Sequence, residues 1–205
     1  MKVLIVTGGI GSGKSLVCRL LKDKYGIPVY EADSRAKQLY TDCPFVLDEI
    51  ENAIGAKVKN DEGVFVPSLL ADVIFKDADA LMKVEDILFP VLIRDFESWS
   101  SIQESEVVAM ESATVLEKQH FEGFGDIILL IDAPINVRLE RAMSRDGASR
   151  EKIIARMKAQ PMMNELSDGA ESIRVDYVLL NDSTEKELEA KLAEFIEKYA
   201  LTKML

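Results

Sequence analysis

The chain has 205 residues and a formal net charge of −11, with 48% hydrophobic and 30% charged residues. This length and composition predict one sizeable domain with a true hydrophobic core and room for a small insertion. The acidic balance disfavours nucleic acid as a partner, because phosphate backbones bind to basic surfaces. The two cysteines, Cys18 and Cys43, are not spaced as a metal-ligand pair and are typical of reduced thiols.

The beginning of the chain lacks the pattern of a targeting segment. The apolar stretch after Lys2 runs into glycines too soon to form the core of a secretory signal. No apolar run approaches the ~18 residues that span a bilayer. We therefore expect a cytoplasmic protein with no membrane partner.

Apolar runs predict the strands of a parallel sheet that is buried on both faces. In chain order they are residues 3–6, 27–30, 107–110, 127–131 and 177–180. Helical patterns fall between them, at 15–25, 136–145 and 150–160, and a last helix follows a capping box of Thr184 and Glu187. Strands that alternate with helices are typical of an α/β fold with a doubly wound parallel sheet.

The stretch 34–103 has a different pattern, with amphipathic helical segments at 45–54 and 67–75 and a turn around Gly63. It predicts a helical insertion between the second and third strands. We expect a single domain over 1–205, with a core of 1–33, 104–135 and 171–205. Residues 136–170 would form a small lid.

Residues 8–15, Gly-Gly-Ile-Gly-Ser-Gly-Lys-Ser, match the P-loop pattern G-x-x-x-x-G-K-[ST]. The glycines allow a tight path that turns successive N–H groups toward phosphate oxygens, and the next helix adds its positive dipole end. In this pattern Lys14 reaches the β- and γ-phosphates, and the hydroxyl of Ser15 holds a magnesium ion. The pattern therefore predicts binding of ATP with Mg²⁺. The candidate ligands in this segment are Gly9, Gly11, Ser12, Gly13, Lys14, Ser15 and Leu16.

A P-loop indicates what is bound and not what is done with it. A GTPase also needs Asn-Lys-x-Asp after a strand, and the chain has no such segment. The simplest kind of switch protein is therefore excluded.

Two carboxylates follow predicted strands at the edge of the sheet where the P-loop lies. Asp33 follows the second strand, where it can take the proton of an acceptor hydroxyl as the γ-phosphoryl group moves. A role as the N-cap of the next helix fits Asp33 equally well. Glu111 follows the third strand and is a candidate for the outer shell of the magnesium ion.

Three arginines, Arg138, Arg141 and Arg145, lie at i, i+3 and i+7 and so form one stripe of a predicted helix. Such a stripe is usually a solvated face. In a chain this acidic, and close to the ligand edge of the sheet, it predicts a phosphate contact for Arg141 or Arg145. Gly147 ends that helix, and Ser149 begins the helix on the far side of the predicted lid.

Taken together, these segments resemble the dephospho-coenzyme A kinases over nearly the whole chain. The matching segments are 7–15, Glu31-Ala32-Asp33, Leu70 and Phe75, 84–90, 131–134, Arg141, Arg145-Asp146-Gly147, Gln160, Asp176-Tyr177-Val178 and Asn181. The opening segment, which starts at Thr7, is more specific than a bare P-loop.

The resemblance implies that Mg²⁺-bound ATP phosphorylates the ribose 3′-hydroxyl of dephospho-coenzyme A, giving coenzyme A and ADP. It implies that Asp33 acts on the hydroxyl and that Lys14 and Arg141 stabilise the moving phosphoryl group. Arg145 would close over ATP, and Asn181 would lie near the adenine. The insertion would receive the coenzyme, in a monomer or a weak homo-oligomer.

Three segments depart from the family's pattern, and all lie on the acceptor side. Phe89 stands where the family usually has histidine, Pro67 where it has arginine, and residues 113–117 match loosely. Two alternatives therefore stay open: a kinase of another small metabolite, such as a nucleoside monophosphate, and a non-catalytic ATP-binding sensor. The retained Asp33 disfavours a sensor, because a sensor needs no acceptor base.

Overall fold

Five parallel strands form one sheet in the computed structural model, which describes residues 1–160 and 174–202. They are β1 (Lys2–Thr7), β2 (Val29–Glu31), β3 (Val107–Glu111), β4 (Ile127–Asp132) and β5 (Tyr177–Leu180). Their order is β2-β3-β1-β4-β5, and all neighbouring pairs are parallel. Residues 161–170 of the predicted lid, and 171–173 and 203–205 of the predicted core, lie outside the described residues.

Helices connect and flank these strands, so the predicted α/β class with a parallel sheet is confirmed. The described helices are α1 (Lys14–Tyr25), α2 (Ala32–Asp42), α3 (Pro44–Ile54), α4 (Pro67–Ile74), α5 (Ala78–Ser101), α6 (Ile135–Asp146), α7 (Arg150–Lys158) and α8 (Glu185–Lys198). Two short 3₁₀ turns, Val115–Glu117 and Gln119–Phe121, lie between β3 and β4. Within the described ranges, no helix combines the length and the apolar character that crossing a membrane requires.

The chain divides into two compact units. The first holds Met1–Glu31 and the chain from Gln103 onward, and it contains the sheet with α1, α6, α7 and α8. The second is Ala32–Ile102 and consists of α2 to α5. The second unit thus lies between β2 and β3 in the chain, within two residues of the bounds expected for the helical insertion.

The core of the first unit follows from the apolar runs. Leu4, Ile5 and Val6 of β1 are fully buried, as expected for a strand that is covered on both faces. On one face of the sheet, Leu21 of α1 and Phe195 of α8 belong to the same buried cluster as Leu4. Full burial of each such side chain contributes about 1.5–3 kcal/mol. This core holds the carboxyl end of β1 and the start of α1 in place.

The second unit has its own polar and apolar contacts. Arg35 of α2 donates two hydrogen bonds to the carboxylate of Asp95 on α5, at 2.9 and 2.7 Å. Leu39 of α2 and Ile50 of α3 are buried. Pro67 occupies the first turn of α4, where the missing N–H of proline costs nothing. Pro67 therefore starts a helix at the position where the family has arginine.

The capping box predicted for the last helix is present. The Thr184 hydroxyl accepts from the N–H of Glu187, and the Glu187 carboxylate accepts from the N–H of Thr184. We expect Thr184→Ala to lower the free energy of unfolding by about 1 kcal/mol, because the first turn of α8 loses a bond acceptor. Urea unfolding would measure the change. Thr184→Ser keeps the hydroxyl and is the control; an equal loss in both variants would contradict the capping role.

Candidate active site

The P-loop lies between β1 and α1, at the carboxyl edge of the sheet. Gly11 and Gly13 have φ values of 76° and 102°, a region that side chains disfavour. A β carbon on Gly11 would lie 2.1 Å from the carbonyl oxygen of Arg138. One on Gly13 would lie 2.1 Å from Nδ2 of Asn181. The loop path therefore requires glycine at both positions.

Buried side chains from distant elements hold the P-loop. The N–H of Ile10 donates to Oε1 of Gln160 at 2.9 Å, and Nε of Arg138 donates to the carbonyl oxygen of Ile10 at 3.1 Å. Nδ2 of Asn181 donates to the carbonyl oxygen of Ser12 at 2.8 Å. Each of these three side chains leaves less than a tenth of its residue surface exposed. The loop is thus fixed from α6, from the end of α7 and from the end of β5.

Arg138 has a different environment from the other two arginines of its stripe. It is buried below the loop, with Nη1 3.7 Å from a carboxylate oxygen of Asp132. Burial lowers the pKa of the guanidinium, and the Asp132 charge acts in the opposite direction. Sequence reasoning missed this supporting position, because spacing alone does not show which member of a helical stripe faces inward.

Arg141 and Arg145 line a cavity of about 180 Å³ at the P-loop. Its other lining residues are Gly9, Gly11, Gly13, Lys14, Ser15 and Ala142. Nη1 of Arg141 donates to the carbonyl oxygen of Asn181 at 3.1 Å, which holds the arginine beside the loop. The structure therefore brings most of the predicted loop ligands and both candidate arginines to one cavity. Asn181, predicted to lie near the adenine, contacts the loop and Arg141.

Arg145 is paired with its neighbour Asp146. Nε and Nη2 of Arg145 donate to the two carboxylate oxygens at 2.6 and 3.1 Å, and Nη1 of Arg156 on α7 donates to Oδ2 at 2.6 Å. Hydrogen bonds from Arg145 and then Arg156 hold the pKa of Asp146 well below its usual range. Asp146 is therefore ionised at neutral pH and joins α6 to α7.

The Lys14 amine contacts the loop and an acidic side chain. Its Nζ donates to the carbonyl oxygen of Gly8 at 3.0 Å and lies 3.7 Å from Oε1 of Glu111. Glu111 is the register partner of Glu31 on the neighbouring strand. Both glutamates and Ser15 line a second cavity, of about 310 Å³. Two carboxylates on adjacent strands repel each other unless positive charge offsets them, and Lys14 supplies such charge to Glu111.

Two predicted residues are not among those that line the two cavities. Asp33 belongs to the second unit, where it is exposed in the first turn of α2 rather than before the helix start. Leu16 packs its side chain against the core, and its N–H donates to the carbonyl oxygen of Gly13 at 3.0 Å. Their predicted roles as catalytic base and nucleotide ligand stay predictions.

The donors around the first cavity suit a polyphosphate. Lys14 and Ser15 open α1, and the first N–H groups of a helix are free to bind an anion because no carbonyl group precedes them in the helix. The hydroxyl of Ser12 is fully buried and has no hydrogen-bond partner within the described part of the chain. Lys14, Arg141 and Arg145 supply positive charge at the same cavity. The residues present therefore fit the triphosphate of a nucleotide.

A magnesium ion fits at Ser15, which lines both cavities, with few protein ligands. Among the described residues, no group of three or more His, Cys, Asp or Glu side chains is arranged to hold a metal. Mg²⁺ bound with a nucleotide needs no such group, because phosphates and waters supply most of its ligands. The exposed hydroxyl of Ser15, with Glu31 and Glu111 nearby, fits this kind of site.

A P-loop between the first strand and first helix of a parallel sheet defines the class of P-loop nucleotide-binding proteins. The sequence profile of the dephospho-CoA kinase family matches residues 2–187. A dephospho-CoA kinase from Porphyromonas gingivalis is 40% identical over 176 residues, which cover 86% of this chain and 84% of that protein. The chain belongs to the dephospho-CoA kinase family, as its resemblance predicts.

Solved structures agree with the fold. A Thermus thermophilus protein of known crystal structure is 30% identical, with a TM-score of 0.79 over 96% of this chain and 97% of that chain. A dephospho-CoA kinase from Campylobacter jejuni superposes with a TM-score of 0.64 over 96% of each chain, at 20% identity. The second match supports the fold alone.

Proposed function

We propose that this protein transfers the γ-phosphoryl group of ATP to the ribose 3′-hydroxyl of dephospho-coenzyme A, giving coenzyme A and ADP. The observation that carries the proposal is the cavity where the P-loop, Lys14, Arg141 and Arg145 meet, in a chain that belongs to this kinase family. The expected protein is a cytoplasmic monomer or weak homo-oligomer.

Binding of ATP uses the donors of the first cavity. The N–H groups from Gly11 to Ser15 surround the β-phosphate, as expected for a P-loop. On arrival of the nucleotide, Lys14 exchanges its contact with Gly8 for the β- and γ-phosphates. Arg141, held by Asn181, faces the γ-phosphate, where it offsets the charge that develops during transfer. The cavity that Lys14 and Arg141 share with the P-loop supports these proposed roles.

In the proposed reaction Arg145 has two partners, the carboxylate of its neighbour Asp146 and the bound ATP. In the structure its guanidinium is engaged by Asp146. Closing over ATP requires this arginine to keep one hydrogen bond to Asp146 while it turns the rest of its donors toward the nucleotide. Asp146 then serves to aim the arginine, because it is also fixed by Arg156.

Ser15 would hold the magnesium ion, with Glu111 and Glu31 binding its water ligands. The ion would neutralise part of the charge on the phosphates of ATP. Before the nucleotide binds, the ion pair of Lys14 with Glu111 offsets some of the acidic charge at this edge.

The acceptor side is assigned to the second unit, with Asp33 as the base that receives the proton of the 3′-hydroxyl. Phe89 lies within α5 and Pro67 begins α4, so two of the departures from the family pattern are parts of regular helices. A helical unit of this size suits a large acceptor such as dephospho-coenzyme A better than a nucleoside monophosphate. The departures are then tolerated changes in how the coenzyme is contacted.

The test is release of ADP by the purified protein from Mg–ATP, with dephospho-coenzyme A, AMP, adenosine or no acceptor. We expect strong stimulation by dephospho-coenzyme A alone, and loss of that stimulation when EDTA removes Mg²⁺. Stimulation by AMP instead would identify a nucleoside monophosphate kinase. ATP binding without stimulation by any acceptor would favour a sensor and contradict the proposal.

A further inference from the structure

Ile10, at the tip of the P-loop, has both of its backbone polar groups bound by side chains far along the chain. Its N–H donates to Oε1 of Gln160 at 2.9 Å, 150 positions later. Its carbonyl oxygen accepts from Nε of Arg138 at 3.1 Å, 128 positions later. These two bonds are defined here as the Ile10 clamp.

Both members of the clamp are buried, with 6% of the surface of Arg138 and 7% of that of Gln160 exposed. The loop is shaped to admit them, since a β carbon on Gly9 would lie 1.8 Å from Nη2 of Arg138. Bonds to groups excluded from water hold their geometry more firmly than surface bonds, because an unpaired buried partner is costly.

A small apolar core lies next to the clamp along the chain. The side chain of Ile10 packs against a buried cluster from α6 and α7, whose members are Leu139, Ala142, Ile153 and Met157. Arg138 precedes Leu139 on α6, and Gln160 follows the end of α7. The same α6 carries Arg141 and Arg145 at the nucleotide cavity. The two bonds of the clamp thus join the tip of the loop to the arginine-bearing helix and to the residue that follows α7.

We propose that Arg138 and Gln160 are positioning residues that set ATP affinity by clamping the backbone of Ile10 on both sides of its α carbon. Neither lines the nucleotide cavity, so they act through the loop. The clamp holds the P-loop in its phosphate-binding path before ATP arrives, and it keeps the loop in register with Arg141 and Arg145. The proposal rests on the proposed ATP site and not on the identity of the acceptor.

Gln160→Leu is the first test, because leucine keeps the apolar volume and cannot accept a hydrogen bond. We expect the Kd and KM for ATP to rise about tenfold, which corresponds to ~1.4 kcal/mol, while the KM for the acceptor stays unchanged. We also expect the Ile10 amide of the nucleotide-free protein to exchange its hydrogen about tenfold faster. Calorimetry measures the Kd without any acceptor, so failure of the proposed function leaves this test intact.

Ile153→Val is the matched control, because it trims the same small core without touching either bond of the clamp. We expect it to lower the melting temperature while the Kd for ATP and the Ile10 exchange rate stay at their wild-type values. A rise in the Kd for ATP in this variant equal to that in Gln160→Leu would overturn the proposal, since general loosening of the core would then explain both.

Arg138→Lys is a second test of the proposal, and it remains informative if the Gln160→Leu variant does not fold. Lysine keeps the charge and loses the guanidinium Nε–H, so we expect a severalfold rise in the Kd for ATP. Because both side chains bind the backbone of one residue, through the two peptide groups that flank its α carbon, the double variant should lose less affinity than the sum of the two single losses. Additive losses of ATP affinity in the double variant, or a wild-type Kd in either single variant, would overturn the proposal.

Discussion

Gly11→Ala is expected to weaken ATP binding strongly while the protein remains folded. The added β carbon would lie 2.1 Å from the carbonyl oxygen and 2.9 Å from Cα of Arg138, and both are backbone atoms that cannot rotate away. The loop must move, and its N–H groups then no longer all point toward the phosphates. We expect the Kd for ATP to rise at least about 100-fold, or ~2.7 kcal/mol. Calorimetry measures the Kd, and circular dichroism checks the fold.

Gly26→Ala is the control, because it introduces the backbone strain of Gly11→Ala without the clash against Arg138. Gly26 ends α1 with a φ of 62°, close to the 76° of Gly11, but nothing lies within 4 Å of the position of its β carbon. Alanine there costs about 1–2 kcal/mol of conformational strain. We expect Gly26→Ala to lower the melting temperature and leave the Kd for ATP unchanged. Equal losses of affinity in both variants would show that strain, and not contact with Arg138, makes glycine necessary.

The sheet and the nucleotide loop could be predicted from the sequence because their signals are local. β1, β3 and β4 each contain an uninterrupted apolar run that is buried on both faces, as that run predicts. The expected burial on both faces is wrong for the outer strand β5, where Val178 and Leu180 are exposed. The P-loop occupies eight consecutive residues, in which Lys14 and Ser15 have roles tied to their positions in the motif. The Thr184 capping box is likewise contained within four residues.

The supports of the P-loop could not be predicted, because their partners are distant in the chain. Asn181 bonds to Ser12 from 169 positions away, and Gln160 reaches Ile10 from 150. No spacing rule links such residues before the chain is folded. The stripe of three arginines shows the same limit: periodicity places Arg138 and Arg145 on one face, but only packing shows that the first is buried and the second exposed.

The second unit was harder to predict for a different reason. Its helix α5 continues through Pro90, although proline removes a hydrogen bond and usually bends or ends a helix. A proline at this position therefore predicts the end of a helix, whereas α5 is continuous there. Its helix α2 begins directly after β2 without an intervening turn, so Asp33 lies inside the first turn rather than at a cap.

Asp33→Asn is expected to lower kcat by about 10²–10⁴, the usual contribution of a general base, and to leave the Kd for ATP within about twofold of wild type. The amide has nearly the shape of the carboxylate but cannot take the proton of the 3′-hydroxyl. Stopped assays with saturating dephospho-coenzyme A give kcat, and calorimetry gives the Kd. Loss of turnover with retained ATP binding distinguishes a proton-transfer role from a defect in the P-loop.

Asp79→Asn is the matched control, because Asp79 is also an exposed carboxylate in the first turn of a helix of the second unit. Both substitutions remove a favourable interaction with a helix dipole, of about 0.3–1 kcal/mol. We therefore expect similar, small decreases in stability from the two variants and a decrease in kcat from Asp33→Asn alone. If Asp33→Asn kept full turnover and lost only stability, its carboxylate would serve the start of α2 and another group would have to receive the proton.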